Sequence, residues 1–239
     1  MIKQFPGLEP STVDLDSPVQ LAQRYLASAY DSVASLIATT YPALRAQREG
    51  SRGRLTHAEQ DLFRAAVVFA GAGVDAVLKE ALRSCVPIQI DASPQAREKY
   101  VDFVVRHIQD GQAMDARRLA RLLIQDSPGD ALRNAYVESL TGSSLQSQEQ
   151  VLTSLAALGL HEERDLFKDA RALNALFRTR NQIAHEMDMT PAAVQGRGKR
   201  TRHERAQSAY IEMCHDALDY CQRVLNRLEG EMNSAHSTP

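Results

Sequence analysis

Between Ala65 and Leu78 the chain is apolar nearly all the way round a helix, and no other stretch of its 239 residues restricts the fold as strongly. A helix without a polar face must be covered on every side, so this segment is expected to be the central helix. Its start is marked by Thr56-His57-Ala58-Glu59, a capping-box pattern in which hydroxyl and carboxylate each satisfy a free backbone amide. Its end is expected at about Cys85, before Pro87, because proline lacks an amide donor and crowds the preceding turn. Gly71 and Gly73 within such a helix each cost about 1 kcal/mol against alanine, which makes sense where another helix crosses closely. Asp75, with Lys79 one turn later, interrupts the run. It is either an acid-first ion pair at the edge or a polar group facing a site or a subunit interface.

The rest of the chain also reads as helix. Aromatic residues are only 5% of the composition, Trp is absent, and strictly alternating Val/Ile/Thr runs are missing, so an all-α fold is expected. Residues 1–16, rich in Pro, Ser, Thr and Asp, read as a flexible leader. Ser17-Pro18 then opens a first helix to about Gln47, with Leu21, Tyr25, Leu26, Tyr30, Val33, Leu36 and Ile37 at helical spacing and Pro42 as a possible interruption. Core helices one and two thus occupy 17–86. From 87 to 160 the pattern changes to shorter helices at about 94–109, 115–125, 130–140 and 145–158, stopped by Gly159, which reads as an inserted helical subdomain. Core helices three and four, about 162–187 and 203–231, fill 161–232, and 233–239 reads as a disordered tail. The last helix has a clear seam at Tyr210, Met213, Cys214, Ala217, Cys221, Val224, Leu225 and Leu228.

Composition removes several function classes. A net charge of -2 argues against general polyanion binding, so any nucleic acid must be held by a local patch. No segment reaches the roughly 18 uninterrupted apolar residues of a membrane span, and the N-terminus lacks the pattern of a signal peptide, so a cytoplasmic protein without membrane partners is expected. Cys85, Cys214 and Cys221 read as reduced core cysteines; the last two are a heptad apart, roughly 10 Å, too far to bridge each other. No Cys-x-x-Cys spacing suggests zinc, and neither metal nor cofactor is expected.

Chemistry concentrates in Phe177-Arg-Thr-Arg-Asn-Gln-Ile-Ala-His-Glu-Met-Asp188. Leu166, Ala170, Leu173 and Phe177 recur as a core-facing stripe, and continuing the spacing gives Arg180 and then Ala184. An arginine stands where a leucine is expected, and a guanidinium there must be paired or reach a wet cleft. Asn181 and His185 share a neighbouring face. Arg180 and His185 are about 140° apart around an ideal helix, so they converge only if the arginine stem reaches round or the helix unwinds near His185. Another Arg-x4-His pair, Arg52 and His57, falls in a loop and cap without a following asparagine. Downstream, Gln195-Gly-Arg-Gly-Lys-Arg-Thr-Arg202 is a loop carrying Arg197, Lys199, Arg200 and Arg202, either phosphate contacts or a solvated linker.

Arg180-Asn181-x-x-x-His185 near the end of the third core helix, with two long helices before it and one after, resembles the HEPN superfamily (higher eukaryote and prokaryote nucleotide-binding domain). That resemblance implies a four-helix up-and-down bundle, here with a helical subdomain inserted between core helices two and three. It implies a homodimer with a composite cleft and a metal-independent endoribonuclease of toxin, antiphage or RNA-processing type, leaving 2',3'-cyclic phosphate and 5'-hydroxyl ends. His185 would act as general acid or base, Arg180 would hold the scissile phosphate, and Asn181 would orient one of them. Arg178 and the loop residues Arg197, Lys199, Arg200 and Arg202 would hold backbone phosphates, while Asp75, Lys79 and Asp188 would support the site. RNA is the implied substrate, with an antitoxin or regulatory protein as a further partner. One toxin branch carries a tyrosine two residues after the histidine; here that position is Met187, so that branch's form of control is not expected. The runner-up is a non-catalytic HEPN-like module that holds a nucleotide, RNA or partner protein, favoured if Arg180 is paired inside its own subunit. A third is a helical regulator working through the insertion, favoured by exposed apolar patches within 90–160.

Overall fold

The computed structural model describes residues 5–47, 53–109, 116–160, 163–190 and 202–236. Among them the chain is all-α; its only extended pairing is an isolated antiparallel bridge between Met189 and Arg202. No helix among them is long and apolar enough to cross a membrane.

The central helix is α3 (His57–Ala92), opened by a complete capping box: Glu59 N–H donates to Thr56 Oγ1 at 3.2 Å and Thr56 N–H to Glu59 Oε2 at 2.6 Å. It continues through Pro87 instead of stopping before it, because Val86, Gln89 and Ile90 are buried on either side of the ring and their packing outweighs one missing hydrogen bond. Against α3 lies α1 (Gln20–Ala34), extended by a π-helical turn (Ser35–Thr40) and α2 (Tyr41–Ala46). The expected interruption at Pro42 therefore falls one turn earlier, as a widened turn ahead of the ring. Ala22, Leu26, Ala29, Val33 and Ile37 form the buried stripe, whereas Leu21 and Tyr25 stay exposed. Gly73 is required at this crossing: a Cβ there would lie 2.5 Å from the Ala29 Cβ.

The third core helix is delivered in three pieces, α8 (Arg164–Asp169), a 3-10 turn (Ala170–Ala172) and α9 (Leu173–Glu186). The fourth is described from Gln207 to His236, with the expected seam buried apart from the half-buried Met213. This helix, α10, runs into the segment expected as a tail; residues 237–239 lie outside the described residues. Directions follow from the contacts. Tyr210 stacks on Phe63 and Leu218 approaches Gly73, so α10 runs parallel to α3. Ala29 faces Gly73 and Tyr41 faces Phe63, so the first helix is antiparallel to α3, as is α9, whose Arg180 faces Gly71 while Asp188 beyond it reaches Arg64.

Four helices, α4 (Pro94–Gln109), α5 (Ala116–Leu123), α6 (Pro128–Thr141) and α7 (Gln148–Ala157), separate α3 from α8, and α4, α6 and α7 pack against α3. Asp75 ties this subdomain down. Its Oδ1 accepts the Leu145 N–H at 2.6 Å while Oδ2 pairs with Lys79 Nζ at 3.0 Å.

The leader is packed, not loose. Phe5 is buried beside Tyr30 and His215, and the backbone amides of Glu9 and Thr12 donate to Asp219 and Asn226 on α10. Asp219, Asn226 and Glu229 share one stripe of α10 and accept from an extended segment that has no helical bonds of its own; Ser17 completes the line by donating to Glu229. All three cysteines are buried, and burial pushes each thiol up to about 12, which leaves them protonated and unreactive at neutral pH.

Candidate functional site

Arg180 reaches the surface by lying across α3. Leu173, Leu176, Phe177 and Thr179 bury α9, and at Arg180 the facing residue is Gly71, where an added Cβ would sit 3.2 Å from the arginine Cγ. The bare glycine gives the aliphatic stem a bed, and the half-buried side chain carries its head outward. Its Nη1 donates to Asn181 Oδ1 at 3.1 Å, while its enclosed Nε has no hydrogen-bond partner. No carboxylate among the described residues pairs with it. His185 is exposed in the last turn, and α9 stays helical through Glu186, so no unwinding brings the two side chains together. Ala184, where the stripe is expected to return to the core, is exposed, and the next buried position is Asp188.

The helix ends abruptly at two left-handed residues, Met187 (φ 51°) and Asp188 (φ 57°), an uncommon conformation for residues with a Cβ. What holds it is the Asp188 carboxylate, fully buried between two arginines: Arg64 Nε donates to Oδ2 at 2.8 Å, and Arg205 Nη1 donates to both oxygens at 2.8 Å. Arg64 Nη2 also donates to the His203 carbonyl at 2.9 Å, and His203 N–H to the Asp188 carbonyl at 2.8 Å. Burial would lower the Arg64 pKa, but its bonds to Asp188 and Asp61 more than offset this and hold it above the ordinary value. Asp188 thus clamps α3, the end of α9 and the start of α10 on one charge. Arg64 and Arg205 belong to no motif, yet Arg64 had the same signal as Arg180. It occupies the stripe Gln60, Arg64, Val67, Gly71, Val74 and Leu78, all buried, where an apolar residue is expected.

The expected RNA-contacting residues divide. Arg178 is exposed on α9, two turns before His185 and on the same side of the helix, and Arg171 lies in the 3-10 turn that precedes α9. Arg171 and Arg178 border a shallow cavity of about 460 Å³ and have no acidic partner among the described residues. Arg202 is already engaged, its Nη1 2.7 Å from Asp61 Oδ1, so it does not stand free. Arg197, Lys199 and Arg200 lie outside the described residues. Asp75 and Lys79 make no bond to Arg180; their partners are each other and the insertion, which corrects their assignment as supports of the site.

Between α3 and the end of α9 lies a groove of about 290 Å³, its floor Ala65, Val68, Phe69, Ile183 and Met187 and its edge Asp61, Arg64 and Arg202, with Phe69 50% and Met187 62% exposed. No group of three or more His, Cys, Asp or Glu side chains among the described residues is arranged to hold a metal ion. No protein-family model matches this chain, and neither a curated protein nor a solved structure is significantly similar to it.

Proposed function

We propose that this chain is a metal-independent endoribonuclease of HEPN type, a four-helix up-and-down bundle with an inserted helical subdomain that works as a homodimer. The observation that carries the reading is Arg180: a guanidinium set on a bare glycine, delivered to the surface, held only by Asn181 and left without an acid. Planar donors of this kind suit the non-bridging oxygens of a phosphodiester. His185, in the next turn and a half, is free of any partner among the described residues. Histidine ordinarily titrates near neutrality and serves proton transfer in both directions. In the proposed reaction the 2'-oxygen attacks phosphorus as its proton passes to one His185, and the bond to the 5'-oxygen breaks as that oxygen takes a proton from the second. A 2',3'-cyclic phosphate and a 5'-hydroxyl result. Two copies of the histidine require two subunits, and the exposed Phe69, Ile183 and Met187 groove offers apolar surface for pairing beside the motif. Arg178, on the side of the helix that carries His185, and Arg171 would hold neighbouring phosphates.

The second reading, a helical regulator that binds through the insertion, draws on Val101, Val105 and Ile108, which leave an apolar strip of α4 exposed. Labelled mixed RNA incubated in EDTA with wild type, Arg180→Ala and His185→Ala separates the two. Cleavage to cyclic-phosphate ends that both substitutions abolish, in folded variants, is the result expected. Activity that survives both substitutions, or none with wild type across several RNAs, assigns the fold to binding.

A further inference from the structure

A cavity lies in the insertion, away from the Arg180 motif. It is about 900 Å³, within the range of small-molecule sites, and is walled by α4, α6 and α7 with Asn174 of α9 at its foot. Its apolar wall comes from Phe103, Tyr136, Leu140 and Leu152, the two rings in contact at 4.9 Å between centroids. Tyr136 is only 5% exposed, borders the cavity, and its hydroxyl has no hydrogen-bond partner among the described residues. The hydroxyl borders the open space of the cavity, where it can donate to an acceptor held there. Arg106 and, more weakly, Asp102 lie close enough for their charges to act on that hydroxyl, the cation outweighing the acid. The Arg106 Nε is bonded to the Asp102 carbonyl at 3.2 Å, which leaves the terminal nitrogens of the fork free of any carboxylate among the described residues. Lys99, one further cation on the rim, is held loosely by Asp102 at 3.6 Å. Glu149 is the single acid on the lining, in the first turn of α7, where the helix N-terminus favours a negative charge. The wall therefore carries two cations against one anion.

We propose that this cavity binds an apolar carboxylic acid in its ionised form, the carboxylate taking donors from Arg106 and Tyr136 and the hydrocarbon body lying on Phe103, Leu140 and Leu152. A guanidinium and a hydroxyl on one wall offer donors to the two oxygens of a carboxylate, and Phe103, Leu140 and Leu152 give the hydrocarbon an apolar surface beside them. The site stands independently of the nuclease reading, because none of its residues belongs to the Arg180 motif.

Decanoate, 1-decanol and decyltrimethylammonium, each below its aggregation limit, serve as probes in calorimetric titration and thermal unfolding of the full chain. Decanoate is expected to bind saturably and raise Tm, decanol to bind about tenfold more weakly for want of the charge-assisted bonds, and the cation not to bind. Arg106→Ala, at an exposed position that the fold does not need, should bring decanoate down to the level of decanol, and the near-isosteric Tyr136→Phe should weaken decanoate about threefold while sparing decanol. Equal binding of decanoate and decanol by wild type, decanoate affinity unchanged in both variants, or no saturable binding would each overturn the assignment.

Discussion

Two arginines face each other's helices across the α3–α9 contact, and they live differently. Arg64, on α3, is 5% exposed and bonded to Asp188, Asp61, Gln60 and the His203 carbonyl. Arg180, on α9, lies two turns along the same contact, with one bond to its sequence neighbour and an enclosed Nε that bonds to nothing. Both break an apolar stripe, so both carry the cost of placing a charge at a helix interface. In Arg64 that cost is offset inside the protein, and the arginine works as architecture. In Arg180 it is left open among the described residues, with no acid and one bond to Asn181.

The largest effect should come from removing the charge that Arg64 and Arg205 share. Asp188→Asn keeps side-chain shape and tolerates a positive φ, so it isolates the carboxylate from the strain of the turn. It leaves two largely buried guanidinium groups short of their anion and should cost about 3–5 kcal/mol, read from urea unfolding. A loss below about 1 kcal/mol would erase the contrast, since Arg64 would then be no better compensated than Arg180. Arg64→Met comes next. Asp188 would keep Arg205, and Asp61 is exposed enough to find water, so about 2–4 kcal/mol is expected, a little under the loss of the shared acid.

How far this contrast was legible beforehand follows from what each signal measures. The stripe Leu166, Ala170, Leu173, Phe177, Arg180 reports helical period, so it located α9 and the misplaced cation, and the capping box located the start of α3 because both its bonds are local. Asp188 was visible as an acid near the motif, but its burial depends on Arg64, 124 positions away, and on a turn of two left-handed residues that no glycine or asparagine announces. Asp75 divides in the same way: its acid-first pair with Lys79 is local and was legible, whereas its second partner, Leu145 N–H in the insertion, is fixed by how the subdomain docks. Period and caps are properties of a segment, whereas the charge clamp, the leader strapped along α10 and the course through Pro87 are tertiary choices that outweigh local preference.

Gly71→Ala probes the bed on which Arg180 lies. Alanine favours the helix by about 1 kcal/mol, and its Cβ would press on the arginine Cγ at 3.2 Å, a flexible stem that shifts by a few tenths of an ångström. The two nearly cancel, so stability should change by less than about 1 kcal/mol. RNA cleavage should fall nonetheless, because a displaced guanidinium misses the phosphate. Parallel loss of stability and activity would instead make Gly71 a packing residue only.

The smallest stability effect belongs to Arg180→Met. Methionine keeps the stem on Gly71 and removes a buried Nε that has no partner, and removing an unsatisfied polar atom is neutral or favourable by up to about 1 kcal/mol. Unfolding by urea should therefore match or exceed wild type, while cleavage drops about a hundredfold or more, the scale of losing one charge-stabilising donor in a transition state. Should Arg180→Met instead destabilise as Arg64→Met does, Arg180 would have a structural partner after all, and the two arginines would be alike. The opposite result ties the open valence at the end of α9 to chemistry, since a protein that becomes no less stable on losing a buried charge was not keeping it for the fold.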